Sequence, residues 1–261
     1  MGANAQTSVP LFVANTVLTA ATQNISAATG VPVFATTVTR DAAFGGSNKV
    51  LAAGQLCYLE STAVVQYYNG SAWATVGPSS SSGLVSIAPT SVAKTGASST
   101  ATASTNGQVT FTLCDTLILN GVFTSAYSNY RILWTGLGSV SSSLQGRMTV
   151  AGTANTTSNY ARQQLVASST TVSGLRETAQ SLWILSNNIS TAEGDNLSMD
   201  IFHPQSSKNT SFNNISHSTI SGAYWQSVTG YFGATTSFDG IQLFPSSGNF
   251  SGIVTVYGYN Q

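Results

Sequence analysis

The side chains best able to do chemistry in this chain are few: two histidines, two cysteines and eight carboxylates among 261 residues. A zinc site needs a close histidine pair, or histidine with cysteine or carboxylate at ligand spacing. His203 stands before Pro204 and His217 sits on an alternating stretch, so both read as ordinary imidazoles, and neither a metal nor a cofactor is expected. Glycoside cleavage needs two carboxylates flanking one cleft. Residues 108–261 carry Asp115, Glu177, Glu193, Asp195, Asp200 and Asp239. Glu193 and Asp195 fall in Thr191-Ala192-Glu193-Gly194-Asp195-Asn196, which reads as a solvated turn. No serine lies in a Gly-x-Ser-x-Gly elbow, and no glycine-rich phosphate loop is present. Cys57 and Cys114 lie in different segments and read as two buried thiols rather than a disulfide. No catalytic residue is assigned, and an enzyme is not expected.

Aromatic side chains are more suggestive. Tyr160, Tyr224, Trp225 and Tyr231 stand among abundant Asn, Ser and Thr. Aromatic faces beside neutral hydrogen-bonding groups suit sugar surfaces and protein interfaces alike. These four are the candidate receptor contacts, although packing accounts for most aromatics in such a chain.

Composition sets what must position them. Charged residues make up 6% of the chain and the net charge is zero, against roughly 25% in ordinary soluble domains. Eight scattered cations cannot build the phosphate-neutralising patch that nucleic-acid binding requires. No stretch reaches the ~20 apolar residues of a membrane span, and no cationic segment followed by an apolar core opens the chain as a secretory signal would. Disorder is excluded by 42% hydrophobic and 10% aromatic residues. The polarity comes instead from 39 Ser and 34 Thr. Ser, Thr and Asn compete with a helix for backbone hydrogen bonds, whereas strands accept Thr, Val, Ile, Tyr and Phe. The expectation is an all-β protein.

Three segments are expected. Residues 1–77 form a small β-hairpin module, with a short helix possible over Leu18–Ile25. The hairpin signal is Val64-Val65-Gln66-Tyr67-Tyr68, then Asn69-Gly70, then Ser71-Ala72-Trp73, because Asn-Gly favours a type I′ turn. Tyr67 and Trp73 are expected to pack across it. Residues 78–107, rich in Ser, Thr, Ala and Gly, read as a linker, with Leu84-Val85-Ser86-Ile87 a possible short strand inside it. Residues 108–261 read as a jelly-roll-like antiparallel β-sandwich. Its period-2 runs include Val109/Phe111/Leu113, Tyr130/Ile132/Trp134, Leu197/Met199/Ile201 and Ile215/His217/Thr219. Leu182-Trp183-Ile184-Leu185 reads as a buried strand.

The run Phe12-Val13-Ala14-Asn15-Thr16-Val17-Leu18-Thr19-Ala20-Ala21-Thr22-Gln23-Asn24, and Pro32-Val33-Phe34-Ala35-Thr36-Thr37-Val38-Thr39-Arg40-Asp41 after it, resemble the N-terminal attachment segment of bacteriophage minor tail and fibre proteins. The ending Phe250-Ser251-Gly252-Ile253-Val254-Thr255-Val256-Tyr257-Gly258-Tyr259 resembles a fibre tip. The resemblance implies a virion protein, usually a homotrimer, assembled in the bacterial cytoplasm and joined to other tail or capsid proteins. On that footing Leu11, Phe12, Val13, Val17 and Leu18 are the expected particle-attachment residues, and host surface glycan is the expected partner of the distal domain. A head-fibre or capsid-decoration protein is the alternative, and a glycan-degrading tail enzyme a further one.

Overall fold

The computed structural model describes residues 7–21, 23, 30–77, 83–192, 194–220 and 224–260. The chain divides into two units, Met1–Ser80 and Ser81–Gln261, each with its own core.

The first unit contains β1 (Val33–Phe34), helix α1 (Thr37–Ala42), β2 (Leu56–Leu59), β3 (Val64–Tyr68) and β4 (Trp73–Thr75). The sheet runs in that order, with β1 parallel to β2 and the other pairs antiparallel. Sequence reading did not anticipate α1. Thr36 and Thr39 make it by reciprocal capping: Thr39 N–H donates to Thr36 Oγ1 at 3.3 Å, and Thr36 N–H donates to Thr39 Oγ1 at 3.0 Å. The helix expected over Leu18–Ile25 lies partly outside the described residues. Among the described residues, no helix is long and apolar enough to cross a membrane.

The expected hairpin is present, but its tip is shifted by one residue. Tyr68 pairs with Trp73, and Asn69 N–H donates to Ala72 O at 3.0 Å across Gly70-Ser71. Asn69 Oδ1 takes the N–H groups of Ser71 and Ala72, which closes the tip with a side chain instead of an Asn-Gly central pair. The aromatic contact therefore joins Tyr68, not Tyr67, to Trp73, with ring centroids 5.7 Å apart.

Among the described residues, the second unit contains sixteen strands. They are β5 (Gly83–Ile87), β6 (Ser91–Thr95), β7 (Thr100–Ala103), β8 (Val109–Cys114), β9 (Thr116–Asn120), β10 (Asn129–Gly138), β11 (Ser142–Val150), β12 (Thr153–Ala154), β13 (Tyr160–Ser168), β14 (Thr171–Gln180), β15 (Trp183–Ile189), β16 (Asp195–Phe202), β17 (Ser211–Ser218), β18 (Tyr224–Phe232), β19 (Gly240–Pro245) and β20 (Phe250–Asn260). A ten-stranded sheet runs β14-β13-β18-β17-β16-β10-β20-β8-β7, with β5 also on β20. A six-stranded sheet runs β12-β11-β19-β9-β6, with β15 on β11. Every pairing within these two sheets is antiparallel. The all-β sandwich is therefore present.

Its boundary differs from the expected one. The segment read as a linker contributes three strands: β5 pairs with β20, β6 with β9 and β7 with β8. These strands are mostly exposed and touch the core through little more than Ile87, Val92 and Ala101. Three apolar points among Ser, Thr and Ala make no period-2 signal.

Inner positions follow the alternation where one face is uniformly apolar. Tyr130, Ile132 and Trp134 of β10, and Leu197, Met199 and Ile201 of β16, are all buried. In β8 the alternation breaks. Leu113 takes φ 51° in a bulge opposite Phe250–Gly252 and points outward, which leaves Cys114 buried. In β17 the outer face carries Ile215 at 54% exposure, while Asn214, Ser216 and Ser218 face inward. An aromatic ladder fills the centre: Tyr160–Trp183 at 5.1 Å, Tyr160–Phe232 at 4.9 Å, Trp183–Phe212 at 4.6 Å and Phe232–Phe238 at 5.0 Å.

The larger sheet extends beyond the smaller. β14, its edge, has nine exposed residues out of ten, so neither of its faces is covered. What holds β14 in place is polar. Buried Arg162 on β13 donates through Nε to Glu177 Oε2 at 2.6 Å. Its Nη1 donates to Ile184 O at 3.2 Å and Asn187 Oδ1 at 3.3 Å on β15, and also to Gln164 Oε1. One guanidinium thus ties the edge strand, the sheet and the strand beneath it together.

Candidate functional site

The outer face of the ten-stranded sheet is the surface most suited to binding. Register places Arg176 (β14), Gln163 (β13), Thr229 (β18), Asn213 (β17), Asp200 (β16) and Arg131 (β10) side by side in one row across six adjacent strands. At a strand spacing of ~4.8 Å, that row is roughly 24 Å long. On one side stand Leu165, Ile215 and Leu133, 47%, 54% and 40% exposed. On the other lies Tyr231, 46% exposed. The result is a polar trough bounded by apolar and aromatic walls.

Two clefts open on the trough. The larger, about 350 Å³, is lined by Ala161, Gln163, Arg176, Thr178, Ser211, Thr229 and Tyr231 among others. It exists because Ala161, the pairing partner of Tyr231, offers only a methyl group, and because β14 bulges beside it. There Thr178 and Ala179 together face Ala161, and Ala179 takes φ 57°. Gly230, also at this cleft, must lack a side chain: a Cβ would lie 2.4 Å from Ala161 O and 2.5 Å from the Phe212 ring. The smaller cleft, about 190 Å³, is lined by Arg131, Ser198, Asp200, Asn213, Ile215 and Ser227 among others.

Electrostatics differ between the two. In the smaller cleft Arg131 grips Asp200 bidentately at 2.8 Å and 2.8 Å, and Tyr259 Oη donates to Asp200 Oδ1 at 2.6 Å. Burial works to raise the Asp200 carboxyl, but these bonds outweigh it and hold the group below its ordinary range. Asp200 therefore stabilises the fold above its unfolded pKa, and that contribution is lost as pH falls through the depressed folded pKa. Asp200→Asn is expected to cost roughly 1 kcal/mol or less at neutral pH. Urea midpoints of the two proteins should converge as pH falls through the depressed folded pKa of Asp200; a gap unchanged into acid would contradict the assignment. In the larger cleft Glu177 is already paired with Arg162.

The four aromatic candidates separate cleanly. Trp225 and Tyr231 lie on the outer face, 40% and 46% exposed. Tyr160 and Tyr224 do not: both point inward, and a receptor cannot reach them. Tyr160 Oη accepts from Met148 N–H at 3.1 Å and donates to Asn155 O at 2.9 Å, and burial pushes its pKa up to about 12. The reason is parity: Tyr160 and Tyr224 occupy the strand positions that face the smaller sheet. Gln163, Arg176, Ser211 and Thr229 were not singled out by sequence, since only the pairing register gathers them.

The remaining candidates fall as follows. Leu11, Phe12, Val13, Val17 and Leu18 are all exposed, from 47% to 91%, after Val9 anchors the chain to the first unit by bonds to Ala43 and Lys49. Asp195 is not in a solvated turn. Its side chain is fully buried and accepts from the N–H groups of Ser190 and Thr219. Glu193 lies outside the described residues. Neither cleft on the trough has two carboxylates in its lining. Cys57 and Cys114 are free and buried, and burial raises both thiols. His217 lies on the outer face between Asn196 and Trp225, and His203 lines a separate hollow with Tyr127 and Gln205.

Architecture places the chain in a class, an all-β protein with a two-sheet antiparallel sandwich. No family model matches it, and no curated protein does either. Among solved structures, a protein of unknown function from Shewanella oneidensis MR-1 aligns with 68% of this chain and 79% of its own, at 7% identity and a TM-score of 0.24. A likeness that loose carries nothing about fold or function.

Proposed function

We propose that this is a structural protein of a bacteriophage particle, a fibre or spike whose sandwich unit binds glycan on the host surface. The observation that supports this most is the trough. Amide and hydroxyl side chains in a row, between Tyr231 and the Leu165–Ile215–Leu133 ridge, match a ligand with hydroxyl edges and apolar ring faces. In this reading Tyr231 and Trp225 stack on sugar rings while Gln163, Thr229, Asn213 and Ser211 bond hydroxyls. The protein binds without cleaving, and it works as a self-assembled oligomer, a homotrimer, on the virion. A chain with only 6% charged residues has a surface poor at keeping a monomer apart from its copies, which favours assembly.

Attachment to the particle falls to the exposed residues Leu11, Phe12, Val13, Val17 and Leu18. Changing all five to serine is expected to leave the thermal transition of the protein within about 0.5 kcal/mol of its original stability and to prevent incorporation into particles. Normal incorporation would exclude them as the anchor. Truncation is a poorer test, because removing residues 1–30 also removes Val9 from the core of the first unit.

Electron microscopy of virions labelled with gold-conjugated antibody to residues 108–261 tests the reading directly. Gold along the tail or at its tip supports adsorption. Gold over the head moves the protein to shell decoration, and absence of gold from particles, with an antibody that recognises the native protein, rejects a displayed virion protein.

A further inference from the structure

We propose that the larger cleft selects an anionic glycan, with Arg176 holding an oxyanion carried by a sugar unit stacked on Tyr231; this rests on the glycan-binding reading above. The argument begins with the cations. The chain has eight Lys and Arg against eight Asp and Glu, and its arginines are nearly all occupied. Arg40 pairs with Asp41, Arg131 with Asp200 and Arg162 with Glu177. Arg147 lies over the Phe244 ring at 4.7 Å and donates to Ser181 O at 3.1 Å. Arg176 alone among the five has no bonded partner among the described residues, and it lines a cleft.

Position makes that guanidinium useful. β14 is the edge of the sheet, and the Arg162–Glu177 pair fixes it from below. The neighbouring acid is thereby neutralised, which leaves the cleft one net positive charge from Arg162, Glu177 and Arg176. Gln163 stands directly beside Arg176 and Thr229 beside Gln163, so neutral donors and acceptors continue from the charge toward Tyr231. A guanidinium fork suits a carboxylate or a phosphate bidentately, and the adjacent ring and hydroxyls suit the sugar that bears it. Neutral glycans would leave this cation without a counter-charge.

The shared chemistry is an oxyanion on a glycan, either the carboxylate of a uronic acid or the phosphodiester of a polyol-phosphate polymer. Titration calorimetry on the full chain would compare oligogalacturonate, its methyl ester and a glycerol-phosphate oligomer. The acid is expected to bind about ten- to a hundredfold more tightly than its neutral ester, the range of one charge-assisted hydrogen-bonded contact. Arg176→Gln should bring the acid down to the level of the ester and leave the ester unchanged; Arg176→Lys should restore part of the difference. Tyr231→Ala should weaken both. Tighter binding of glycerol phosphate than of the uronate would assign the oxyanion to phosphate. Equal binding of acid, phosphate and ester, unaffected by Arg176→Gln, would overturn anion selection and leave the glycan reading standing. If none of the three binds, both ideas fall for this cleft. Arg176 is exposed on an edge strand, so an unchanged circular dichroism melt is expected of the Gln and Lys variants.

Discussion

Replacing Trp183 by alanine is expected to destabilise the sandwich unit by about 3–5 kcal/mol, the cost of emptying a large aromatic site in a packed core. The ring is fully buried, meets Tyr160 and Phe212 at 5.1 Å and 4.6 Å, and donates from Nε1 to Tyr231 O at 3.2 Å. Its removal would break the aromatic ladder between Tyr160 and Phe212 and take one hydrogen bond from Tyr231 O. The matched control is Trp225→Ala. That ring is 40% exposed on the outer face, and its loss should change stability by no more than about 0.5 kcal/mol. Urea unfolding of the full chain followed by circular dichroism would compare the two. Equal effects from Trp183 and Trp225 would mean that the buried layer between the two sheets and the outer face of the larger sheet are wrongly assigned.

A second large effect is expected at Asp195. Its carboxylate is fully buried and takes the N–H groups of Ser190 and Thr219, with the Ser190 hydroxyl beside it at 3.3 Å. It stitches the entry to β16 to the segment that leaves β17. Asp195→Ala would strand the buried Ser190 N–H, at about 1–3 kcal/mol, and the half-buried Thr219 N–H at somewhat less, so a loss of roughly 2–5 kcal/mol is expected. Asp195→Asn keeps one oxygen acceptor and should cost less. The same unfolding experiment decides between this anchor and a solvated turn, since a surface acid there would change the midpoint hardly at all. The geometry bears on chemistry too: a carboxylate wrapped in backbone donors is turned away from any substrate.

Several features were legible in the amino-acid sequence alone, and each had a strong local cause. Scarce charge with abundant Ser and Thr required β structure. Strict alternation exposed β10 and β16, because each has one uniformly apolar face, Tyr130/Ile132/Trp134 and Leu197/Met199/Ile201. Asn69-Gly70 marked a hairpin, and Trp183-Ile184-Leu185 a buried strand. Other features needed neighbours that are distant in the chain. The strands at 83–103 are edge or half-covered elements, so too few apolar side chains touch the core to write a pattern. The one-residue shift at Gly70-Ser71 exchanged Tyr67 for Tyr68 at Trp73. β18 shows the limit most clearly. Its inner face is Tyr224, Gln226, Val228, Gly230 and Phe232, and its outer face is Trp225, Ser227, Thr229 and Tyr231. Both faces mix aromatic and polar residues, so parity cannot be read until the covering sheet is known. That covering alone buried Tyr224 and left Tyr231 open. Composition and local alternation determined the class of fold, because they act through nearest neighbours. The trough was decided by tertiary structure, because its row of six side chains exists only once five antiparallel registers, gathered from positions 131 to 229, are set at the same time.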